Sequence, residues 1–310
     1  SLKDLNDYNL RILKPICGSY RLYEICSMAP PSSGGIALIQ ILNILENIDI
    51  SKLEHNSEQY LELLISAMDY AYKDRAKYLG DPDFFKVPQD LLTSKEYAND
   101  IYKLILEKKT AFKENVTILE GEETTHFSIL DKWGNAVSNT YTLNTAYGSG
   151  IVPFGTGILM NNEMDDFSIK PGFPNFFGLV GSEANKVESR KAPLSSMTPT
   201  IVFHEGIPYL ITGSPGGSTI ISTVLQLLLN ILIFDMELDE ASKAKRIHHQ
   251  WKPDILFIEK DKNIKNINTI GFDTVYRERI GESHSILLKE ENYEGFADLR
   301  RPDGRAISVH

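Results

Sequence analysis

Through the first third of the chain, apolar residues recur with the period of a helix. "GGIALIQILNILENI" (34–48) is apolar on nearly every side, which predicts a buried helix leaving the loop "APPSSGG". "SEQYLELLISAMDYAYKDRAKYLG" (57–80) sets Leu61, Leu64, Met68, Ala71 and Tyr72 at helical spacing and stops at Gly80. "SKEYANDIYKLILEKK" predicts a third, amphipathic helix with Ser94 as its N-cap. The polar stretch "KKTAFKENVTILEGEE" (108–123) loses the period and reads as a linker.

Beyond it the period becomes two. "THFSIL-DKWGN-AVSNTYTL" predicts two strands around a five-residue turn, and "TPTIVFH-EG-IPYLITG" predicts a second hairpin turning at Glu205-Gly206. The second hairpin runs into "SPGGSTIISTVLQLLLNILIF", a glycine turn opening a long apolar helix. Helices, then hairpins, then a buried helix predict an α+β fold of sheets covered by helices on their outer faces.

Composition narrows the function classes. The 310 residues are 42% hydrophobic and 24% charged, with a formal net charge of -10. A real core is within reach. The acidic balance argues against a nucleic-acid partner, which needs a basic face. Two cysteines, Cys17 and Cys26, can make at most one bridge, so no disulfide framework is implied and the compartment stays open. "LQLLLNILIF" (Leu225 to Phe234) is the nearest approach to a membrane span and is too short. "SLKDLNDYNL" lacks the basic start and apolar stretch of a signal peptide.

Thr124 stands where the linker becomes a strand. The strand preference of threonine accounts for the doubled Thr124-Thr125 on its own. The chemical alternative is a nucleophile: cleavage of the Glu123-Thr124 bond would give Thr124 a free α-amine, a base with a pKa of about 7.7–8.0 beside its own hydroxyl. "GSPGGS" lacks the lysine and spacing of a phosphate loop. Its two glycines instead allow the N–H groups of Gly216 and Gly217 to face one point as an oxyanion hole ahead of a helix N-terminus. His248 and His249 invite a metal or a base, but no matching ligand cluster accompanies them, so they read as structural. Paired Ser195 and Ser196 are equally well plain loop residues, and Asp165 reads as part of a solvated acidic turn or a cation site.

From Thr124 to Gly148 the chain reads T-T-H-x-S-I-x4-G-N-x-V-S-x-T-x-T-L-N-x2-Y-G. This resembles the signature of the γ-glutamyltranspeptidases, self-cleaving N-terminal-nucleophile hydrolases. The resemblance continues through "GILMNNEMDDFS", "FPNFFGLVG", "PLSSMTPT", "TGSPGGS", "RIHHQW" and, upstream, "MAPPSSGGIALIQILNILENID", covering nearly the whole chain.

The resemblance implies a four-layer αββα sandwich. It implies that residues 1–123 form the C-terminal portion of a large subunit, mainly helical, and 124–310 a small catalytic subunit of the same precursor. Thr124 would be the nucleophile for maturation and turnover, with Thr142 orienting it. Asn144, Glu163 and Asp166 would hold the α-amino group of a γ-glutamyl donor such as glutathione, and Ser195 and Ser196 its α-carboxylate. Water or an amino-acid or peptide would be the acceptor. No metal or cofactor is implied, and the expected location is the periplasm or the cell exterior. Phe177 falls in a lid loop where the family usually has tyrosine. The family's carboxylate-gripping arginine has no counterpart here, so the chain is read as lacking the N-terminal part of the large subunit. Rival readings are a sister acylase acting on glutaryl-cephalosporins or poly-γ-glutamate, and a non-catalytic remnant.

Overall fold

The computed structural model describes residues 2–107, 124–260 and 272–309. The linker 108–123, Glu123 included, lies outside the described residues. A short helix α1 (Leu2–Asn6) precedes the strands β1 (Ile16–Tyr20) and β2 (Tyr23–Ser27). Helices α2 (Gly34–Leu45), α3 (Glu58–Tyr78), α4 (Gln89–Leu92) and α5 (Lys95–Glu107) follow. Next come the hairpins β3 (Thr125–Leu130) with β4 (Ala136–Tyr141), and β5 (Thr200–His204) with β6 (Ile207–Thr212). The chain continues through α6 (Ile220–Leu232), α7 (Leu238–Lys243), β7 (Ile247–His248) and β8 (Ile255–Glu259). It then forms β9 (Asp273–Arg277), β10 (His284–Lys289) and β11 (Asn292–Ala297).

The three helices expected upstream are present. Every residue of α2 is buried, as its all-round apolarity requires. Gly34 permits this: a Cβ there would stand 2.3 Å from the Met197 carbonyl oxygen, so only glycine lets the helix start against that strand-like segment. Ser94 caps α5 by accepting from the Tyr97 N–H at 3.2 Å, and Ser57 caps α3 in the same way.

The described upstream residues are mainly helical, carrying α1 to α5. They also contribute β1 and β2, joined by a Cys17–Cys26 disulfide between directly opposed positions. The strands are only five residues each, and β1 shows too short an alternation for periodicity to stand out. They complete an antiparallel six-stranded sheet in the order β1-β2-β5-β6-β10-β11. β2 pairs with β5 from the downstream portion, so residues before and after the linker share one sheet and one core.

On one face Ile25, Val202, Leu210 and Leu287 pack against α2, α3 and α6 in that core. Ile201 and Ile211 alternate to the other face. There lies the β3–β4 hairpin, tied down by Ser128 Oγ to the His284 carbonyl (2.9 Å) and Ser138 Oγ to the Thr212 carbonyl (2.7 Å). The described residues thus supply three of the four expected layers: helices, six-stranded sheet and hairpin. The hairpin's outer side carries exposed Phe127, Ile129, Val137 and Tyr141. Among the described residues no helix is long and apolar enough to cross a membrane.

Candidate active site

The register of the first hairpin places its two ends together. Thr125 pairs with Tyr141, so Thr124 and Thr142 stand just beyond opposed positions, and Thr124 Oγ1 approaches Thr142 Oγ1 at 3.3 Å. Thr142 Oγ1 also accepts the Asn144 N–H at 2.8 Å. Asn144 sits at a positive φ of 78°, a conformation asparagine tolerates better than most residues, and its side-chain amide donates to the Asn162 carbonyl. The hairpin end is thereby fastened to the acidic 162–166 turn.

A cavity of about 20 Å³ is lined by Thr124, Thr142, Asn144, Asp166, Phe177, Ser195, Ser196 and Gly217, brought together from across the chain. The volume suits about one water. A wider cleft of about 940 Å³ opens on the other side of Thr124, bordered by Pro215, Glu282, His284 and Arg301. A further cavity of about 1420 Å³ lies between residues 6–15 and the six-stranded sheet and holds none of the candidates.

The wall of the small cavity carries both acceptors and donors. Asp166 is half-buried by its surface, and desolvation with the neighbouring Glu163 charge raises its carboxyl to about 7, against a weaker opposing pull from Arg75. Glu163 is itself raised by burial, and its Oε1 is buried without a hydrogen-bond partner among the described residues. Elsewhere on the wall, Ser195 Oγ accepts the Met197 N–H at 3.1 Å and Ser196 Oγ accepts Arg75 Nη2–H at 3.1 Å. Both hydroxyls have an inward lone pair occupied, and neither hydrogen has an acceptor among the described residues. They remain donors for a ligand.

Two expected members stand one step back. Glu163 does not line the cavity; it acts on Asp166 by its charge. Gly216 does not line it either, because its φ of 133° turns the chain and its carbonyl accepts from Thr219. Gly217 does line it, at a φ of 53°, and a Cβ there would meet the Phe177 ring at 2.6 Å. Behind Gly217, Ile220 opens α6 at the cavity wall, directing the positive end of that helix toward the site.

The loop carrying Phe177 is held from several directions. Asn175 Oδ1 accepts the N–H groups of Phe177 and Leu179, and Asp165 Oδ2 accepts that of Phe176. Asp165 thus also anchors this loop. Gln250 Nε2 donates to the Phe177 carbonyl, and Gln250 Oε1 bonds His248 Nε2, whose Nδ1 meets Ser222 on α6. Burial drops His248 to about 3 and His126 to about 3, so both are neutral polar struts. His126 bridges Thr140 and Ser128 inside the hairpin and fills the space over Gly213.

Sequence reading passed over Arg75, Ser32 and Ser33. Arg75 belongs to "YAYKDRAKY", whose charges obscure that it stands at i+3 and i+4 from Tyr72 and Ala71 on the apolar stripe; the structure shows it pointing inward. Ser32 Oγ donates to the Met197 carbonyl and Ser33 Oγ to that of Ser195, clamping the "LSSM" segment onto the start of α2.

The whole arrangement has matching relatives. A family model described as gamma-glutamyltranspeptidase matches residues 1–308. The chain belongs to the γ-glutamyltranspeptidase family. It is 48% identical over 310 residues to the glutathione hydrolase proenzyme of Escherichia coli (strain K12), covering 97% of this chain and 53% of that protein. It thus spans about half the length of the curated relatives it matches. A crystal structure of a Helicobacter pylori γ-glutamyltranspeptidase mutant is 48% identical, with a TM-score of 0.55 over 57% of this chain and 100% of that one. The fold alone is shared with a cephalosporin acylase from Bacillus halodurans, 22% identical with a TM-score of 0.79 over 96% of this chain and 53% of that one.

Proposed function

We propose that this chain carries the catalytic centre of a γ-glutamyl transferase and glutathione hydrolase, matured by cleavage of Glu123-Thr124 with Thr124 as nucleophile. The observation that carries the reading is the polarity of the small cavity beside Thr124. Serine hydroxyl donors face a carboxylate at one end, and Asp166 with the partnerless Glu163 oxygen behind it faces an ammonium at the other. A γ-glutamyl group presents both charges on one carbon.

The cleaved Thr124 α-amine takes the proton from Oγ1 as that oxygen attacks the γ-carbonyl carbon, and Thr142 holds Oγ1 in line. The carbonyl π pair moves to oxygen, which faces the Gly216-Gly217 turn and the N-terminus of α6. Collapse breaks the C–N bond, and the α-ammonium returns its proton to the departing amine. The γ-glutamyl ester is then attacked by water or an acceptor amine, entering through the cleft bordered by Pro215 and Glu282. The 20 Å³ cavity must widen to admit a glutamyl group, and Phe177 on Gly217 is the wall placed to move. The partners are the γ-glutamyl donor, its acceptor and the two products of the precursor. Export to an oxidising compartment is supported by the Cys17–Cys26 bridge.

The test is turnover of γ-glutamyl, glutaryl and 4-aminobutyryl anilides by the full-length enzyme containing this chain. The γ-glutamyl compound should be used best by at least about tenfold, since each deleted charge leaves a buried group unpaired. Equal or better use of the glutaryl anilide would identify a sister acylase instead.

A further inference from the structure

Arg75 is a strongly basic group bonded directly to a serine of the cavity wall, and its surroundings are unusual. It is 4% exposed on α3, and among the described residues no carboxylate is ion-paired with it. Asp166 influences it only through its charge, across the cavity. A guanidinium stays charged in proteins, and a buried charge without a counter-ion is costly. Its contacts are two hydroxyls: Nε donates to Ser33 Oγ at 2.9 Å and Nη2 to Ser196 Oγ at 3.1 Å. Ser33 Oγ passes its own hydrogen to the Ser195 carbonyl at 2.7 Å, and the Ser33 N–H reaches the same oxygen at 2.8 Å. One cation therefore fixes both serines, Ser196 by its hydroxyl and Ser195 by its backbone.

We propose that Arg75 is the positioning residue of the carboxylate subsite: it turns the Ser196 hydroxyl hydrogen into the cavity and lends its charge, through that hydroxyl, to the donor's α-carboxylate. This rests on the γ-glutamyl reading above. Occupying a lone pair of Ser196 leaves that hydroxyl one useful direction for its hydrogen, so it meets an anion already oriented. The incoming carboxylate supplies the counter-charge that the protein withholds from Arg75. At the ammonium end Arg75 acts only as a weaker charge on Asp166, whereas it hydrogen-bonds Ser196 directly, so its main effect falls on the carboxylate.

The experiment compares two anilides on the full-length processed enzyme: γ-glutamyl, and 4-aminobutyryl, which keeps the ammonium and lacks the carboxylate. Arg75→Met should raise KM for the γ-glutamyl anilide by roughly 10- to 100-fold, the range for hydrogen bonds to charged groups. Turnover of the 4-aminobutyryl anilide should change less than about threefold, so the preference for a carboxylate collapses. Arg75→Lys keeps the charge without the two-pronged geometry and should fall between; it carries the test alone where the methionine variant does not fold. In a Ser196→Ala background the Arg75 substitutions should alter the preference much less, leaving only the part carried through Ser33 to the Ser195 backbone. Equal losses on both anilides, or an undiminished effect without Ser196, would reduce Arg75 to a structural pin between α3 and residues 195–197. A wild-type enzyme indifferent to the carboxylate refutes the γ-glutamyl reading itself, and this role with it.

Discussion

Thr124 Oγ1 lies 3.3 Å from Thr142 Oγ1, across the open end of a hairpin whose last register pair is Thr125 with Tyr141. The pair is held from behind by the Asn144 N–H on Thr142 Oγ1, so the hydroxyl facing Thr124 has a fixed origin. Thr125, by contrast, is an exposed strand residue.

This separation of roles gives the first prediction. Thr124→Ala should remain one uncut chain and lose turnover, having no hydroxyl for either reaction. Thr124→Ser should cut and react more slowly, since it keeps the hydroxyl without the methyl that restricts its rotamer. Thr125→Ala should cut normally. Intact-mass analysis of the three proteins checks all of this, and a Thr124→Ala protein that still splits before residue 124 ends the nucleophile assignment.

Asp166 supplies a pH dependence. Its folded value of about 7 lies above the ordinary 3.8, so the folded protein holds this proton more tightly than the unfolded chain. The stability it contributes is complete below about pH 4 and is lost as pH rises through 7. Donor binding has the opposite sign, because an ammonium needs the carboxylate. Affinity for a non-reacting γ-glutamyl analogue should therefore rise from pH 6 to 8. Asp166→Asn should flatten both profiles while weakening binding by about tenfold or more. Calorimetric titration against pH distinguishes this limb from that of the Thr124 amine, which governs rate.

Gly217 and Phe177 are matched in shape. Gly217→Ala would meet the Phe177 ring at 2.6 Å in a backbone conformation that favours glycine. It should destabilise the protein by about 1–3 kcal/mol and depress acylation. Phe177→Tyr adds a hydroxyl at the wall that must open, and should shift the partition between hydrolysis and transfer more than donor affinity. Product analysis with and without an acceptor dipeptide reads the shift; an unchanged ratio would remove Phe177 from the gating role.

The Cys17–Cys26 bridge closes a short loop, with a sequence separation of nine. Chain-entropy reasoning puts its contribution near 2–3 kcal/mol. Cys17→Ser should lower the melting temperature while leaving the Thr124 site, on other strands, catalytically intact. Thiol trapping in fractionated cells should find the pair oxidised in the exported fraction; a reduced cytosolic pool would count against export.

Much of the chemistry was legible in the linear chain because it depends on local backbone. The two hairpins, the glycine turn before α6 and the cap at Ser94 follow from period, turn residues and capping within a few positions of each other. The family blocks identified Thr124, Thr142, Asn144, Asp166, Ser195, Ser196 and Gly217 as candidates. What the chain could not display was direction. Arg75 continues the Leu61-to-Tyr72 stripe at helical spacing and Lys77 lies on the opposite face, but only packing shows that the stripe brings a cation under Ser196. β1 and β2 are too short to announce themselves, and they exist because β5 offers them an edge. Glu163 and Gly216 lie beside the site rather than in it, because a one-residue change along a turn swings a side chain or carbonyl away from a cavity. Local propensities are additive along the sequence. Burial, charge partners and the convergence of distant loops on one small cavity arise only when the layers close.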